Sequence, residues 1–326
     1  MSLLVTVPGL ILFCLGVAVL ALWRFGPYED ATLSPRPVSV SPDLDAHFAR
    51  VEQAFDDITP GVEKRVIWAE GAGVQTDLAL LYVHGFSATS QEMRPVPDLL
   101  ADALGANLIY TRLEGHGRGS DAMGEATVQG WVSDLDEGLQ AARIAGREVL
   151  VMSNSTGGTL VAALAQNADM MADVVGLIFV SPNFGVNNPL ARLLTWPAAR
   201  YWLPPLVGRR RGFEPRNADN ATYWTSEYPS VSVMPMAALI KAANAQDHAR
   251  QTVPALFWFA KEDKLVRPDI TAQVAAVWGG PTTVVHPVMG PLDDENAHVV
   301  GGAILSPGQT GTMVAGILDW VRELKR

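Results

Sequence analysis

The segment that most constrains the fold is an apolar strand pattern joined to a helix pattern by a turn of small residues. Residues 148–152 are largely apolar and partly β-branched, which is typical of a short buried strand. Residues 159–166 have the composition of a helix. The turn between them reads Ser153-Asn154-Ser155-Thr156-Gly157. This junction predicts a strand–turn–helix unit whose two elements pack closely at the turn.

The turn has the form small-x-Ser-x-Gly, in which a serine is flanked by small residues two positions before and after it. A tight turn of this kind lifts the hydroxyl of Ser155 out of the sheet and directs it at the N-terminus of the following helix. Backbone N–H groups there favour developing negative charge. We therefore identify Ser155 as the candidate nucleophile, with Ser153 at a position where glycine is commoner. The alternative is an ordinary turn with a capping serine.

After Pro60 the chain alternates strand-like and helix-like segments, which predicts an α/β fold with a mostly parallel sheet flanked by helices. Residues 184–250 interrupt this alternation. We interpret them as a helical cap inserted between two strands of a core formed by 60–183 and 251–326. Aromatic residues of the cap would suit a hydrophobic substrate or, alternatively, would form the cap's own small core. They are Trp196, Trp202, Tyr223, Trp224 and Tyr228.

A serine hydroxyl needs a base to take its proton and a third group to orient that base. His298 fits the base, because it lies in a polar loop between the last predicted strand and the closing helix. The acid should follow the strand before that one, where Asp263 stands. The order Ser155, Asp263, His298 is the order expected of an α/β-hydrolase. The rival acids are Glu262, Asp293 and Asp294.

The developing oxyanion requires two hydrogen-bond donors. The backbone N–H of Thr156 is one candidate, and the N–H of Phe86, after the buried strand 78–83, is the other. His116 lies in the turn Gly115-His116-Gly117, which precedes the nucleophile. We expect this turn to shape the site without a catalytic role for His116.

Several motifs together resemble the α/β-hydrolase superfamily, and within it the bacterial carboxylesterase and monoacylglycerol-lipase-like group. They are HGF at 84–86, GHG at 115–117, SNSTGG at 153–158, EDKLV at 262–266 and the late His298. The resemblance covers about residues 60–326. It implies a serine esterase or lipase with a mobile cap, in which Ser155 attacks an ester carbonyl, His298 is the base and Asp263 orients the imidazole. The implied substrate is a small hydrophobic, lipid-like ester cleaved through an acyl-enzyme.

Two other functions remain open from the residues alone. The same three groups would support a thioesterase or an acyltransferase, and a catalytically inactive hydrolase fold would serve as a membrane-tethered binding module. No pattern in the sequence suggests a metal or an organic cofactor. The net charge of −10 argues against nucleic acid as a partner. The single cysteine, Cys14, excludes an intrachain disulfide, and the oligomeric state is not predicted.

The N-terminus carries no charged side chain before Arg24. Residues 3–23 would span about 31 Å as a helix, enough to cross a hydrocarbon core. We therefore expect residues 1–25 to form an uncleaved single-pass membrane anchor, with a cleaved signal peptide as the competing interpretation. Arg24 weakly favours a cytoplasmic C-terminal domain, so the side of the membrane stays open.

Residues 26–59 are predicted to form a proline-rich extended linker followed by an amphipathic helix over 44–58. The cap carries a basic patch in an otherwise acidic chain. The patch is either a solvated loop or a contact with anionic lipid headgroups. It consists of Arg209, Arg210, Arg211 and Arg216.

Overall fold

The computed structural model describes residues 3–324 and contains a central sheet of mostly parallel strands. The strands are β1 (Arg65–Ile67), β2 (Thr76–Val83), β3 (Asn107–Tyr110), β4 (Gly146–Asn154), β5 (Val174–Val180), β6 (Arg210–Gly212), β7 (Glu227–Pro229), β8 (Ala255–Trp258) and β9 (Thr282–Val285). The sheet order is β1-β3-β2-β4-β5-β8-β9, with only β1 antiparallel to its neighbour. The predicted fold class is confirmed.

Helices cover both faces of this sheet. The helices of residues 3–324 are α1 (Leu3–Phe25), α2 (Leu44–Glu52), α3 (Val96–Leu104), α4 (Val128–Ala145), α5 (Thr156–Leu164), α6 (Ala199–Val207), α7 (Ala218–Tyr223), α8 (Val233–Asn244), α9 (Pro268–Val277) and α10 (Thr310–Leu324). Buried residues of α4, α5, α8 and α9 share one core, whereas α3 and α10 belong to the other. The crossover helices therefore lie on the two sides that a parallel sheet must bury.

Strand β2, which lies inside the sheet between β3 and β4, contributes side chains to two separate cores. Its side chains alternate between the faces, because successive residues of a strand point in opposite directions. Ala79, Leu81 and Val83 pack with the first core, and Leu80 and Tyr82 pack with the second. A strand buried on both faces is apolar along nearly its whole length, which is the pattern that the sequence shows.

Residues 184–250, which we call the cap, lie between β5 and β8 in the chain. They contain α6, α7 and α8, and α8 packs against α5. The expectation of a purely helical segment needs one correction, because β6 and β7 form a small antiparallel pair. Each of these strands has only three residues, and so short a strand shows no recognisable alternation of apolar and polar residues in the sequence.

At the N-terminus, α1 is apolar and exposed from Val7 to Phe25, and it is long enough to cross a membrane. A signal sequence near the N-terminus has the same length and apolar composition. Residues 26–43, which we call the strap, contain no helix or strand and lie along the domain. The helix predicted over 44–58 is shorter than expected and ends at Glu52.

Candidate active site

Ser155 occupies the turn between β4 and α5 in a backbone conformation that L-residues rarely adopt, with φ 49° and ψ −115°. Its neighbours hold it there. The N–H of Ser155 donates to the carbonyl of Val180 at 2.9 Å, and its own carbonyl accepts from the N–H of Asn183 at 3.1 Å. Strain of this kind persists only where the surrounding structure over-determines it, and it is commonly found at functional sites.

The small residues of the turn have the role expected from the sequence. A Cβ added at Gly157 would lie 2.4 Å from the carbonyl oxygen of Val83, so no larger residue fits without moving the backbone. Ser153 is tolerated in place of glycine because its buried hydroxyl donates to the carbonyl of Ile178 at 3.2 Å. The start of α5 therefore approaches the end of β2 so closely that Gly157 must remain without a side chain.

The structure brings Ser155, His298 and Asp263 together from three distant parts of the chain. The Nε2 atom of His298 lies 3.0 Å from the Oγ of Ser155, and its Nδ1 lies 2.7 Å from Oδ2 of Asp263. The Oδ1 of Asp263 accepts the N–H groups of Leu265 and Val266 at 2.8 and 3.0 Å. The carboxylate is thus held by its own loop while it bonds the imidazole.

The structure also separates Asp263 from its rivals. Glu262 is exposed and does not bond His298. Asp294 instead accepts the backbone N–H groups of His298 and Val299 at 3.1 and 3.0 Å, so it shapes the histidine loop. Asp293 accepts backbone N–H groups of two glycines elsewhere in that loop.

The electrostatics of His298 favour a protonated ring. Burial acts against its charged form, but the charge and hydrogen bond of Asp263 outweigh this, with smaller contributions from the charges of Asp294 and Glu92. The pKa of His298 is therefore raised above its ordinary value of 6.5. An imidazole with a raised pKa accepts the proton of a nearby hydroxyl more readily.

The backbone N–H groups of Phe86 and Thr156 lie in the loop after β2 and at the start of α5. Neither donates to a protein acceptor among residues 3–324. Gly85 allows this loop to approach the nucleophile closely, because a Cβ added there would lie only 3.1 Å from Cβ of Ser155. His84 braces the loop, since its Nε2 accepts the N–H of Leu113 at 3.0 Å. The two free donors are the pair expected from the sequence.

Glu92 is a buried carboxylic acid beside this loop that the sequence analysis did not identify. Its Oε1 accepts the N–H of Gly85 at 2.6 Å and the hydroxyl of Tyr82 at 2.8 Å. Burial raises the pKa of Glu92 to about 7, although Gly85, Tyr82 and Asn154 donate hydrogen bonds that act in the opposite direction. Nothing in the polar stretch SATSQE distinguishes Glu92 from a solvated loop residue. Only its position against Gly85 does so.

The other histidines lie outside this hydrogen-bonded arrangement. His116 is fully buried against Trp131, and burial lowers its pKa to about 4, in keeping with the expectation that it shapes a turn. His286 bonds the carbonyl of Phe259, and His47 bonds Glu137. His248 is buried near the C-terminal end of the cap and stacks on Trp278.

The cap contacts the loop that carries Phe86. The rings of Tyr228 and Phe86 meet edge to face with centroids 5.3 Å apart, and the N–H of Thr225 donates to the carbonyl of Ser87 at 2.7 Å. Ser155 and His298 are each only 7% exposed.

Comparisons by sequence and by structure both find similarity to hydrolases, including lipases. A family model described as "Hydrolase_4: Serine aminopeptidase, S33" matches residues 75–283, a span that includes Ser155 and Asp263 and ends before His298. The thermostable monoacylglycerol lipase of Bacillus sp. (strain H-257) is 27% identical over 191 residues, which is 59% of this chain and 72% of that protein.

Two solved structures of lipolytic proteins share the fold. One, described under "LipS and LipT, two metagenome-derived lipolytic enzymes", is 18% identical with a TM-score of 0.66, covering 82% of this chain and 99% of that one. A soluble variant of monoglyceride lipase from Saccharomyces cerevisiae, in complex with a substrate analogue, is 13% identical with a TM-score of 0.60, covering 91% and 97%. Since the family model spans more than half of the chain, this protein belongs to the Hydrolase_4 family, and it is an α/β-hydrolase similar to monoacylglycerol lipases.

Proposed function

We propose that this protein is a serine hydrolase that cleaves carboxylic esters of the monoacylglycerol type through an acyl-enzyme. The observation that carries the proposal is the continuous hydrogen-bonded path from Ser155 Oγ through His298 to Asp263, with distances of 3.0 and 2.7 Å. The lipases found by sequence and structural comparison support the lipid-ester substrate class.

In the proposed mechanism, the Oγ of Ser155 attacks the ester carbonyl while Nε2 of His298 takes its proton. Asp263 keeps the imidazole oriented and stabilises its charged form. The N–H groups of Phe86 and Thr156 donate to the oxyanion, and the N-terminus of α5 adds a favourable dipole. His298 then protonates the departing alcohol. A water molecule activated by the same imidazole hydrolyses the acyl-enzyme and regenerates Ser155.

The surroundings of the site favour an ester over a peptide with a free amino terminus, the substrate class named in the family description. The cap presents the aromatic ring of Tyr228 beside Phe86, and such an apolar contact suits an acyl chain. The carboxylates Asp263, Asp294 and Glu92 already accept hydrogen bonds from backbone or side-chain donors.

The test is labelling of the full-length chain in detergent with a fluorophosphonate, followed by assays on p-nitrophenyl esters of graded acyl length and on a monoacylglycerol. We expect Ser155→Ala to abolish labelling and to lower turnover by about 10³-fold or more. The matched control is Ser181→Ala, because Ser181 is also buried with a positive φ at the end of the neighbouring strand. Retained labelling of Ser155→Ala would contradict the proposal, and release of a transferred ester instead of free acid would indicate an acyltransferase.

We also propose that residues 184–250 act as a lid over the core formed by 60–183 and 251–326, and that residues 1–25 tether the enzyme to a membrane. The closed contacts of Tyr228 and Thr225 with the loop after β2 support the first proposal. The length, apolar composition and exposure of α1 support the second.

A further inference from the structure

The end of α1 and the beginning of the strap are attached to the cap. The rings of Trp23 and Trp196 meet edge to face with centroids 5.8 Å apart. The N–H of Ala198 donates to the carbonyl of Pro27 at 2.7 Å, and Arg200 pairs with Glu29 through an Nε–Oε2 contact of 2.9 Å. The Glu29 side chain is 15% exposed, so this ion pair is partly shielded from water. The cap is thus fixed to the point where α1 ends.

The part of the cap next to this contact exposes an unusual number of large apolar side chains. We call residues 190–207 the shelf. Its exposed members, with their exposed fractions, are Leu190 (63%), Trp196 (44%), Tyr201 (68%), Leu206 (75%) and Val207 (53%). Large exposed apolar side chains of the rest of the domain are spread over many separate segments. Large apolar side chains exposed together in one short segment are typical of a surface that contacts a partner or a membrane.

Basic residues accompany the shelf. Arg192 lies within it and Arg209 follows it, both are exposed, and neither forms an ion pair with any residue from 3 to 324. Arg210 and Arg216, by contrast, pair with Asp121 and Asp294. The basic patch read from the sequence therefore divides into paired arginines and free ones. Free arginines beside exposed aromatic and aliphatic residues match the interfacial region of a bilayer.

We propose that the shelf lies in the interfacial region of the same phospholipid bilayer that α1 spans, with Arg192 and Arg209 on lipid phosphates. The physical reason is the position of Trp23. A spanning helix that ends at Phe25 places Trp23 at the membrane surface, where tryptophan and tyrosine are enriched. Trp196 contacts Trp23 and therefore lies at the same depth. Tyr201 follows five residues later in the chain, in the first turn of α6. This inference rests on α1 as an uncleaved span and not on the catalytic residues.

The shelf is connected to the nucleophile through two pairs of packed elements. The turn 189–195 packs on α8, and α8 packs on α5, whose N-terminus carries Ser155. An ester lipid in the bilayer would then approach the site through the cap without first crossing bulk water. Docking of the shelf would bring the apolar substrate and the closed cap together at one surface.

The experiment uses the full-length chain, its intact mass verified, in vesicles of phosphatidylcholine and phosphatidylglycerol. Cys14→Ser removes the only cysteine, and Tyr201→Cys or Leu206→Cys introduces a site for an environment-sensitive fluorophore. Val277→Cys is the matched control. Val277 is 55% exposed and ends α9, which packs on the edge strand β9, whereas Ser155 follows the middle strand β4. Spin-labelled phosphatidylcholine should quench positions 201 and 206 at least about twofold, as expected for interfacial burial, and leave 277 unchanged.

Equal quenching at all three positions, or none at 201 and 206, would overturn the proposal. A second measurement separates docking from catalysis. The double variant Tyr201→Ser, Leu206→Ser should lower turnover of a vesicle-borne monoacylglycerol about tenfold, because two apolar side chains leave the bilayer interface while α1 still anchors the chain. Turnover of the water-soluble p-nitrophenyl acetate should stay unchanged. Loss of neither activity would contradict docking, whereas quenching that persists in an enzyme inactive on every ester would refute the proposed function alone.

Discussion

At the scale of single residues, the charge and hydrogen bond of Asp263 are what raise the pKa of His298. The pair is buried, and Oδ2 of Asp263 lies 2.7 Å from Nδ1 of His298. The sequence predicted Asp263 as the acid, with Glu262 as its immediate rival. In the structure the Asp263 side chain is buried against His298, whereas Glu262 is exposed.

We predict that Asp263→Asn shifts the acid limb of kcat/KM to lower pH and lowers kcat by about 10³–10⁴-fold. The sign follows from the raised pKa of His298. The ring must be neutral to act as a base, so activity falls as the pH drops through its pKa, and removing the carboxylate lowers that pKa. The measurement is a pH–rate profile, with the exposed neighbour substituted as Glu262→Gln for the control. An unchanged acid limb in Asp263→Asn would contradict the assignment.

Glu92 acts one step away from the reacting atoms, as a positioning residue. Its carboxyl receives the N–H of Gly85, the residue immediately before the proposed oxyanion donor Phe86. This hydrogen bond therefore orients the His84–Gly85 peptide, with which the oxyanion loop begins. Its charge also acts on His298.

For Glu92→Gln we predict a roughly tenfold lower kcat with an unchanged KM, because the oxyanion donors act mainly in the transition state. The acid limb of kcat/KM should also move to lower pH. Above its pKa of about 7, Glu92 is ionised and its charge raises the pKa of His298, an effect that glutamine lacks. Steady-state kinetics from pH 5 to 9 test this. A KM increase alone, or a profile identical to the parent, would show that Glu92 only fills space.

At the scale of elements, the junction of β4 and α5 is the best-predicted part of the fold. Strand, turn and helix are all local, and their residue types follow from backbone geometry. The strands missed by the sequence analysis, β6 and β7, and the helix α9 carry weaker local signals. Three-residue strands have no period, and α9 lies in a segment for which no helix was proposed.

We predict that Gly157→Ala destabilises the protein by about 1–3 kcal/mol, the usual cost of overpacking. The added Cβ would lie 2.4 Å from one backbone carbonyl oxygen and 2.6 Å from another, so strand β2 must move. Gly311→Ala is the matched control. Gly311 lies in α10 with no heavy atom within 4 Å of an added Cβ, and alanine there should stabilise by up to about 1 kcal/mol. Urea unfolding measures both, and equal effects would contradict the close contact.

At the scale of the whole molecule, the strap joins the apolar N-terminal helix to the folded domain by specific contacts. The backbone N–H of Arg36 donates to Ser133 Oγ at 2.9 Å, and its guanidinium bonds Glu114 at 3.0 Å. Ala31, Leu33 and Val40 pack against the first core. A proline-rich segment with little secondary structure thus behaves as part of the domain.

We predict that deleting residues 2–43 lowers Tm by about 5–10 °C relative to deleting residues 2–25. The larger deletion removes several hydrogen bonds worth about 1 kcal/mol each, and each kcal/mol shifts Tm by about 2–4 °C in a domain of this size. Calorimetry of the two shortened chains provides the measurement. Identical Tm values would mean that the strap contacts contribute nothing to stability.

The sequence by itself determined the alternating strands and helices, the tight turn at Ser155 and the chain order of Ser155, Asp263 and His298. These features depend on periodicity, local backbone geometry and connectivity, which neighbouring residues specify. Only the tertiary structure removed Glu262 as a rival of Asp263, placed Glu92 against Gly85 and joined Trp23 to Trp196. Such contacts link residues far apart in the chain, and their strength depends on burial and distance, which exist only after folding.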